Sequence, residues 1–488
     1  MKTYLFVYVC SAFLALLITP ITIWLARRLG IVDVPGPRNM HIKPVSHIGG
    51  VAIFLSMLIP TIPVLFLSNT IGEAFRDILP EVIVLLFAAG FVFLAGLIDD
   101  VRAGGLRART KFMVQMAGAI IVCAVGIRIH SVAVTDSLIL HFGWFSWPLT
   151  LLWIVGITNA VNLSDGLDGL AAGISAVACG VIAVFAVSSG NVVMAVLMLA
   201  LLGSLTGFLF FNFNPAKIFM GDCGSMFLGF TIASSSVLCS TKSPLLVGLA
   251  LPLLALGIPI FDTFFSMLRR FLERRSMFAP DRSHFHHKLV DLGLKQHHAV
   301  IIAYVVTFIA TGLGMFMMIT RNSSSIAVLL FPLLFLLLAF RVAGCVRLKD
   351  VKAGLRRKYV IIQREQEETK SFEDAQLHFR QADTFEQWWQ AISTAAEKMN
   401  FRSVCLPIER RDGTNSTLTW RRNDSRHESA RAVLHASIPV RDRRSGSALN
   451  LRIEVCKNGS LESAGRRVAL FTRLMEEHEV TDLKSNPA

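Results

Sequence analysis

Acidic residues are scarce in this chain and unevenly placed. There are 34 Asp and Glu against 48 Lys and Arg in 488 residues, and only 14 of the acids fall in residues 1–345. A soluble surface of that length needs far more charge, so a soluble globular protein is excluded for the stretch. Cysteine is sparse too. The eight residues form no CxxC pair and no metal-ligand spacing, which excludes a zinc module or a disulfide scaffold as the organising device. Cys10, Cys123, Cys179 and Cys239 sit in apolar runs and read as small buried hydrophobes. No internal repeat recurs at a fixed period, which argues against a transporter built from paired halves. No small-residue cleavage site follows the first apolar run, so that run is expected to be a retained span.

What the chain has is hydrophobicity: 53% of its residues are hydrophobic, and the mean hydropathy is +0.57. The composition breaks near Cys345, because residues 346–488 carry the other 20 acids and 26 bases. Three parts are expected: an integral membrane domain over 1–345, a charged helical linker over 346–380, and a cytoplasmic α+β domain over 381–488. A membrane span needs about 20 apolar residues. Eleven such runs start near Tyr4, Ile48, Leu79, Phe112, Phe142, Asp168, Asn191, Ser225, Pro244, Ala299 and Ser325. The fold class is therefore an all-α polytopic membrane protein of about eleven transmembrane helices, with a small α+β domain behind it.

The loops also differ in charge. Those after odd-numbered spans carry sixteen Lys and Arg, and those after even-numbered spans carry three. The positive-inside bias places the N-terminus outside, and the odd-span loops and the tail in the cytoplasm. The unusual polar stretches obey the same division. "GLIDD" ends span three, "NAVNLSDGLDGLAAG" joins spans five and six, "FNFNPAKIFMGDCGS" joins seven and eight, and "PDRSHFHHKL" joins nine and ten.

Asp99, Asp100, Asp165, Asp168 and Asp222 thus gather near one membrane surface. They cannot all be ionised at short range without a counter-charge. Mg²⁺ supplies one, since it takes hard oxygen ligands from one or two carboxylates, water and phosphate. A single acid would more often simply end a span, solvated. Five beside glycines point to a site. In "SDGLDG" the i, i+3 spacing lets Asp165 and Asp168 share a helical face. Gly166, Gly169, Gly221 and Gly224 let backbone approach a ligand. His284, His286 and His287, with Arg282 and Lys288, can donate to phosphate oxygens. A zinc site is the rival there, disfavoured by the adjacent bases, and a solvated loop is the bland alternative. Phosphate, carboxylates and a membrane edge together suggest phosphoryl transfer to or from a lipid phosphate.

These motifs, in this order, resemble the bacterial polyprenyl-phosphate N-acetylhexosamine-1-phosphate transferases, the superfamily of phospho-MurNAc-pentapeptide translocase. The likeness covers about residues 1–345. It implies transfer of a sugar 1-phosphate from a UDP-sugar to undecaprenyl phosphate, with UMP released and Mg²⁺ required (Mn²⁺ as a substitute). It also implies roles. Asp222 matches the metal-ligand aspartate, and Asp99 and Asp100 match the adjacent catalytic pair, Asp99 also at the metal. Asn162, Asp165 and Asp168 match the "NxxDGxDG" positions, with Asp165 among the catalytic acids and Asp168 at the uracil. Asn212 and Phe219 match the nucleoside site. Arg282, His284, His286 and His287 match the diphosphate site, and Lys43 matches a substrate-loop lysine. "HFHH" and "PIFDT" resemble the UDP-GlcNAc branch, with UDP-GalNAc or UDP-MurNAc-pentapeptide as alternative donors. The resemblance implies a bacterial inner-membrane location and initiation of a lipid-linked surface glycan.

The chemistry is attack of a lipid phosphate oxygen on the donor β-phosphorus. Asp99 or Asp100 is the expected base, and a covalent phospho-aspartate is the alternative. An ion-coupled transporter is the rival from another class, but its acids belong at the bilayer midplane. The expected partners are the bilayer, undecaprenyl phosphate and a UDP-sugar, with a homodimer as a candidate and no nucleic acid. In the tail, "TFEQWWQAISTAAEKMNF" reads as an amphipathic helix. "SVCLPI", "TLTW", "AVLHASIPV" and "ALNLRIEV" read as strands, and residues 463–480 as a second helix. Their order resembles a GAF-type sensor, and the expected role is binding a regulatory ligand or protein.

Overall fold

The computed structural model describes residues 2–33, 44–133, 139–242, 247–272, 284–319, 325–344, 348–382, 384–409, 415–422, 433–441, 448–456 and 461–478. The chain divides into two compact units, Met1–Val351 and Lys352–Ala488.

The first unit is helical, as apolar runs in lipid must be, because only a helix or a closed barrel satisfies every backbone group there. In chain order it holds α1 (Lys2–Arg28), α2 (Gly50–Thr61), α3 (Thr70–Asp77), α4 (Leu79–Val101) and α5 (Ala108–Ala124). Next come α6 (Ser146–Ser164), α7 (Leu170–Ser188), α8 (Val192–Asn212) and α9 (Gly221–Lys242). The last are α10 (Val247–Ala255), α11 (Gly257–Leu272), α12 (Phe285–Asp291), α13 (Gln296–Ile319) and α14 (Ser325–Val342). Two short antiparallel ribbons join them: β1 (Val32–Asp33) with β2 (Val45–Ser46), and β3 (Ser131–Ala133) with β4 (Ile139–His141).

A helix lies at or near each of the eleven expected span starts. Among the described residues, six helices are long and apolar enough to cross a membrane, or up to eight if two bent pairs each count as one span. The bends are 99° between Gly50–Phe66, which is α2 with the turn that extends it, and α3, and 74° between α10 and α11. The protein is thus a polytopic, mostly helical membrane protein.

Close packing rests on small residues. A Cβ on Gly203 or Gly207 of α8 would lie 2.3 Å from the Tyr8 carbonyl oxygen or 2.4 Å from that of Ala12, so α1 and α8 meet backbone to backbone. Several buried hydroxyls bond within their own helices. Thr19, Ser56, Thr61 and Thr158 each donate to the carbonyl four residues earlier. α9 runs through the middle of the unit, with Cys223, Met226, Phe227 and Phe230 at 1% exposure or less.

The second unit contains α15 (Leu348–Arg380, starting at the boundary), α16 (Phe385–Lys398), α17 (Leu461–Glu477) and a four-stranded antiparallel sheet. Its strands are β5 (Phe401–Glu409), β6 (Asn415–Arg421), β7 (Val433–Arg441) and β8 (Ala448–Cys456), in the order β6-β5-β8-β7. Each strand overlaps the segment expected from alternation. Thr384 and Gln387 form a reciprocal cap at the start of α16. Trp388, Ile392, Phe471 and Leu474 from the helices pack with Val404, Leu406, Leu451 and Ile453 from the sheet. The segment expected as a linker joins this core, because Phe372, Ala375 and Phe379 of α15 are buried in it. Arg467 is buried as well, and its guanidinium donates to the carbonyls of Met399 and Cys456, each at 2.8 Å.

Candidate active site

α4 ends in two acids because an apolar run meets the membrane edge there, and α9 begins beside it. Missing side chains make the approach tight. A Cβ on Gly96 would lie 2.6 Å from Cys223 Cα, and one on Gly50 would lie 2.2 Å from the Gly224 nitrogen. The start of α9 is therefore held between α2 and α4. Its first N–H groups need acceptors. The Asp100 carboxylate supplies them, accepting from the backbone N–H groups of Asp222 and Cys223, both at 2.9 Å. His47 Nε2 is 2.8 Å from the Asp100 carbonyl oxygen, which fixes the same corner from α2's side.

Asp99 points elsewhere. It accepts from the Leu106 N–H, and its Oδ2 is 3.0 Å from Lys111 Nζ. Lys111 Nζ is also 2.5 Å from Asp222 Oδ2. Asn162 completes the frame: its Nδ2 donates to Asp222 Oδ1 at 3.0 Å and to Ser225 Oγ at 2.8 Å. One carboxylate oxygen from each of Asp99, Asp100 and Asp222 lies within 4.8 Å of the others. Three hard oxygen donors at the rim of a membrane bundle fit a cation of the Mg²⁺ type.

Asp165 and Asp168 do not share a helical face. They lie in the turn between α6 and α7, where Gly169 adopts φ +80°, a left-handed conformation just before α7 starts. Burial pushes the Asp165 carboxyl up to about 8, and the charges of Asp222, Asp100 and Asp168 add to the effect. Asp168 accepts from Asn214 Nδ2 at 2.8 Å and the Ala216 N–H at 3.1 Å, and so pins the loop between α8 and α9. Asn212 is buried and donates to the Ile218 carbonyl at 2.8 Å, closing the same loop. Phe219 is half-buried, and its backbone bonds to Ser46 and Gly49.

His284 belongs to a second cluster. Its Nδ1 is 3.0 Å from Asp262 Oδ2, and Asp262 Oδ1 accepts the Phe285 N–H at 2.7 Å. Both side chains are buried. The His287 ring centre is 6.4 Å from that of His284. Lys43 and Arg282 lie outside the described residues, as does the side chain of His286.

Two residues of this geometry were missed in the sequence. Lys111 read as one more loop base, although it follows Asp100 by eleven positions on the same expected face. Asp262 read only as part of "PIFDT", although an acid inside an apolar run is itself a signal.

Residues 82–240 match glycosyl transferase family 4, a span that starts in α4 and ends in α9 and so contains every member of the Asp99–Asp222 cluster. A probable undecaprenyl-phosphate N-acetylglucosaminyl 1-phosphate transferase of Bacillus subtilis is 40% identical over 305 residues, covering 62% of this chain and 81% of the relative. The chain belongs to this family. Decaprenyl-phosphate N-acetylglucosaminephosphotransferase of Mycobacterium tuberculosis (strain H37Rv) is 34% identical over 58% of this chain and 74% of its own length. Phospho-N-acetylmuramoyl-pentapeptide-transferase of Bacillus subtilis is 31% identical over 64% and 97%. In this family 4 transferase the Asp262–His284 pair lies beyond the matched span, on α11 and at the start of α12.

Proposed function

We propose that this chain transfers N-acetylglucosamine 1-phosphate from UDP-GlcNAc to undecaprenyl phosphate, releasing UMP and initiating a lipid-linked surface glycan. The observation that carries the reading is the convergence of Asp99, Asp100 and Asp222 with Lys111. The transferred group and the acceptor follow the relatives, a probable undecaprenyl-phosphate N-acetylglucosaminyl 1-phosphate transferase and a decaprenyl-phosphate N-acetylglucosaminephosphotransferase. The basic odd-span loops support eleven spans, an outside N-terminus and a cytoplasmic site and tail. Residues 1–345 form the transferase domain, and the tail, GAF-like in its element order, binds a regulatory ligand or protein.

Two anions must meet in this reaction. Asp222 and Asp99 would hold Mg²⁺, which would supply charge to offset the repulsion between those anions and the charge on departing UMP. Lys111 keeps both of those carboxylates ionised, and Asn162 orients Asp222. Asp100 holds the start of α9, which places Asp222. Asp99 or Asp100 is the base for any lipid phosphate that arrives as the monoanion, and the help needed is modest because the second phosphate pKa is about 6. A lipid phosphate oxygen then bonds to the donor β-phosphorus, and the bond from that phosphorus to the bridging oxygen breaks, its electron pair leaving with UMP. Asp165 and Asp168 shape the turn beside the nucleoside. His284, steadied by Asp262, and His286, His287 and Arg282 bind the diphosphate, and Lys43 belongs to the substrate loop.

The test is UMP release by the purified full chain. UDP-GlcNAc with undecaprenyl phosphate and Mg²⁺ gives UMP, and omission of lipid or addition of EDTA abolishes it. A preference for UDP-MurNAc-pentapeptide overturns the donor assignment. Release that ignores EDTA overturns the metal role.

A further inference from the structure

The fold treats the two halves of α15, a helix of 33 residues, differently. In the second half Phe372, Ala375 and Phe379 are 7%, 1% and 3% exposed, within the second unit's core. In the first half Leu355, Tyr359 and Ile362 are 55%, 63% and 40% exposed. Their spacing of i, i+4, i+7 places them on one narrow stripe. Leu348 and Val351 continue that spacing in the sequence.

Charge on the first half is one-sided. Residues 349–364 hold Lys349, Lys352, Arg356, Arg357, Lys358 and Arg364 against one acid, Asp350. By helical register, positions 352 and 358 fall about 60° to either side of the stripe. Glu365, Glu367, Glu368, Glu373 and Asp374 all come later.

We propose that the first half of α15 is a membrane-surface helix, with Leu355, Tyr359 and Ile362 entering the acyl boundary of a leaflet rich in anionic lipid and the flanking bases meeting its phosphates. An apolar stripe bordered by Lys and Arg is the composition of an interfacial helix. Bases close to an anionic leaflet are attracted to it within a Debye length. The chain also keeps the helix near the bilayer. Five residues separate Val342, the end of apolar α14, from Leu348, a reach of roughly 20 Å at full extension. A second copy of the chain is the rival occupant. Parallel pairing of two such stripes would set like charges against one another, whereas leaflet phosphates neutralise them. The proposal is independent of the catalytic reading.

The experiment replaces Tyr359 with p-benzoyl-phenylalanine in the full-length protein, held in nanodiscs of equal parts phosphatidylcholine and phosphatidylglycerol. Irradiation and mass spectrometry identify the crosslinked species. The expected result is a phospholipid adduct at position 359, with at least a tenfold lower yield when the probe replaces Glu367, beyond the basic stretch. The adduct at 359 should fall severalfold in discs of phosphatidylcholine alone, and likewise in the Lys352→Glu/Arg356→Glu variant. An adduct to a second copy or to the chain itself, no lipid adduct, or equal yield in uncharged discs overturns the proposal.

Discussion

Lys111 Nζ lies 2.5 Å from Asp222 Oδ2, a contact between residues 111 positions apart in the sequence. The same ammonium reaches Asp99, so one cation ties the end of α4 to the start of α9. Its value lies in letting two carboxylates stay ionised while close together. Lys111→Met should lower kcat by about a hundredfold or more, since a lost charge contact at a reacting centre is typically worth about 3 kcal/mol. UMP release by purified variant, normalised to folded protein, checks this. A variant that melts earlier but turns over normally would make Lys111 a structural tie only.

The adjacent acids should separate in their phenotypes. Asp99→Asn and Asp222→Asn should each lower kcat by about two decades with little change in melting temperature, because both groups face Lys111 and the reaction centre. Asp100→Ala should lose activity and also melt earlier. It removes the acceptor for two N–H groups at the start of α9, and losing a helix N-terminal acceptor costs about 0.5–2 kcal/mol. Thermal melts and kinetics on the same preparations test the split. Equal melting of all three variants would show that Asp100 has no special hold on α9.

Much of this was legible in the sequence for physical reasons. Apolar runs of membrane length located the helices, and alternation located β5 through β8, because burial imposes both periods. The acids stood out because lipid makes them costly. What the sequence concealed was pairing. Nothing local says that Asp100 accepts from the backbone of Asp222, or that Asp262 meets His284. The helical reading of Asp165 and Asp168 failed because i, i+3 spacing is also compatible with a turn, and the glycine at 169 settles the backbone there. Alternation likewise could not tell a linker helix from one whose second half enters a core, as α15 does.

Asp262 and His284 form a buried pair, 3.0 Å apart, with the Phe285 N–H on the second carboxylate oxygen. If His284 meets the donor diphosphate, His284→Ala should cost roughly tenfold to a hundredfold in kcat/KM, as a charge-assisted contact of about 1.5–3 kcal/mol does. Part of that loss should appear in donor KM, because the diphosphate is present before the transition state. Lipid KM should move less. Asp262→Ala should reproduce the donor effect although it touches no substrate, and Asp262→Asn should restore part of it. Zinc analysis separates the rival: stoichiometric zinc lost in His284→Ala would replace the phosphate role with a metal site.

His478, just past the end of α17, gives the second unit a pH dependence with a definite sign. Its ring stacks on Phe379 with centroids 5.6 Å apart, and its carbonyl accepts from Trp388 Nε1 at 3.3 Å. Burial holds the imidazole below its ordinary value of 6.5; Arg380 adds to the depression, and Glu477 opposes it. The unfolded chain therefore takes up this proton at a higher pH than the folded one. As pH falls below about 6.5, the unfolded state binds more protons, so this contribution to stability is present at neutral pH and lost on acidification. Calorimetric melting of the full chain should show the second unit's transition moving down between about pH 7.5 and pH 5.5. His478→Phe keeps an aromatic ring against Phe379 and removes the titration, so its transition should be flatter across the same range. An unchanged pH slope in that variant would assign the dependence to other groups and leave His478 as a packing residue alone.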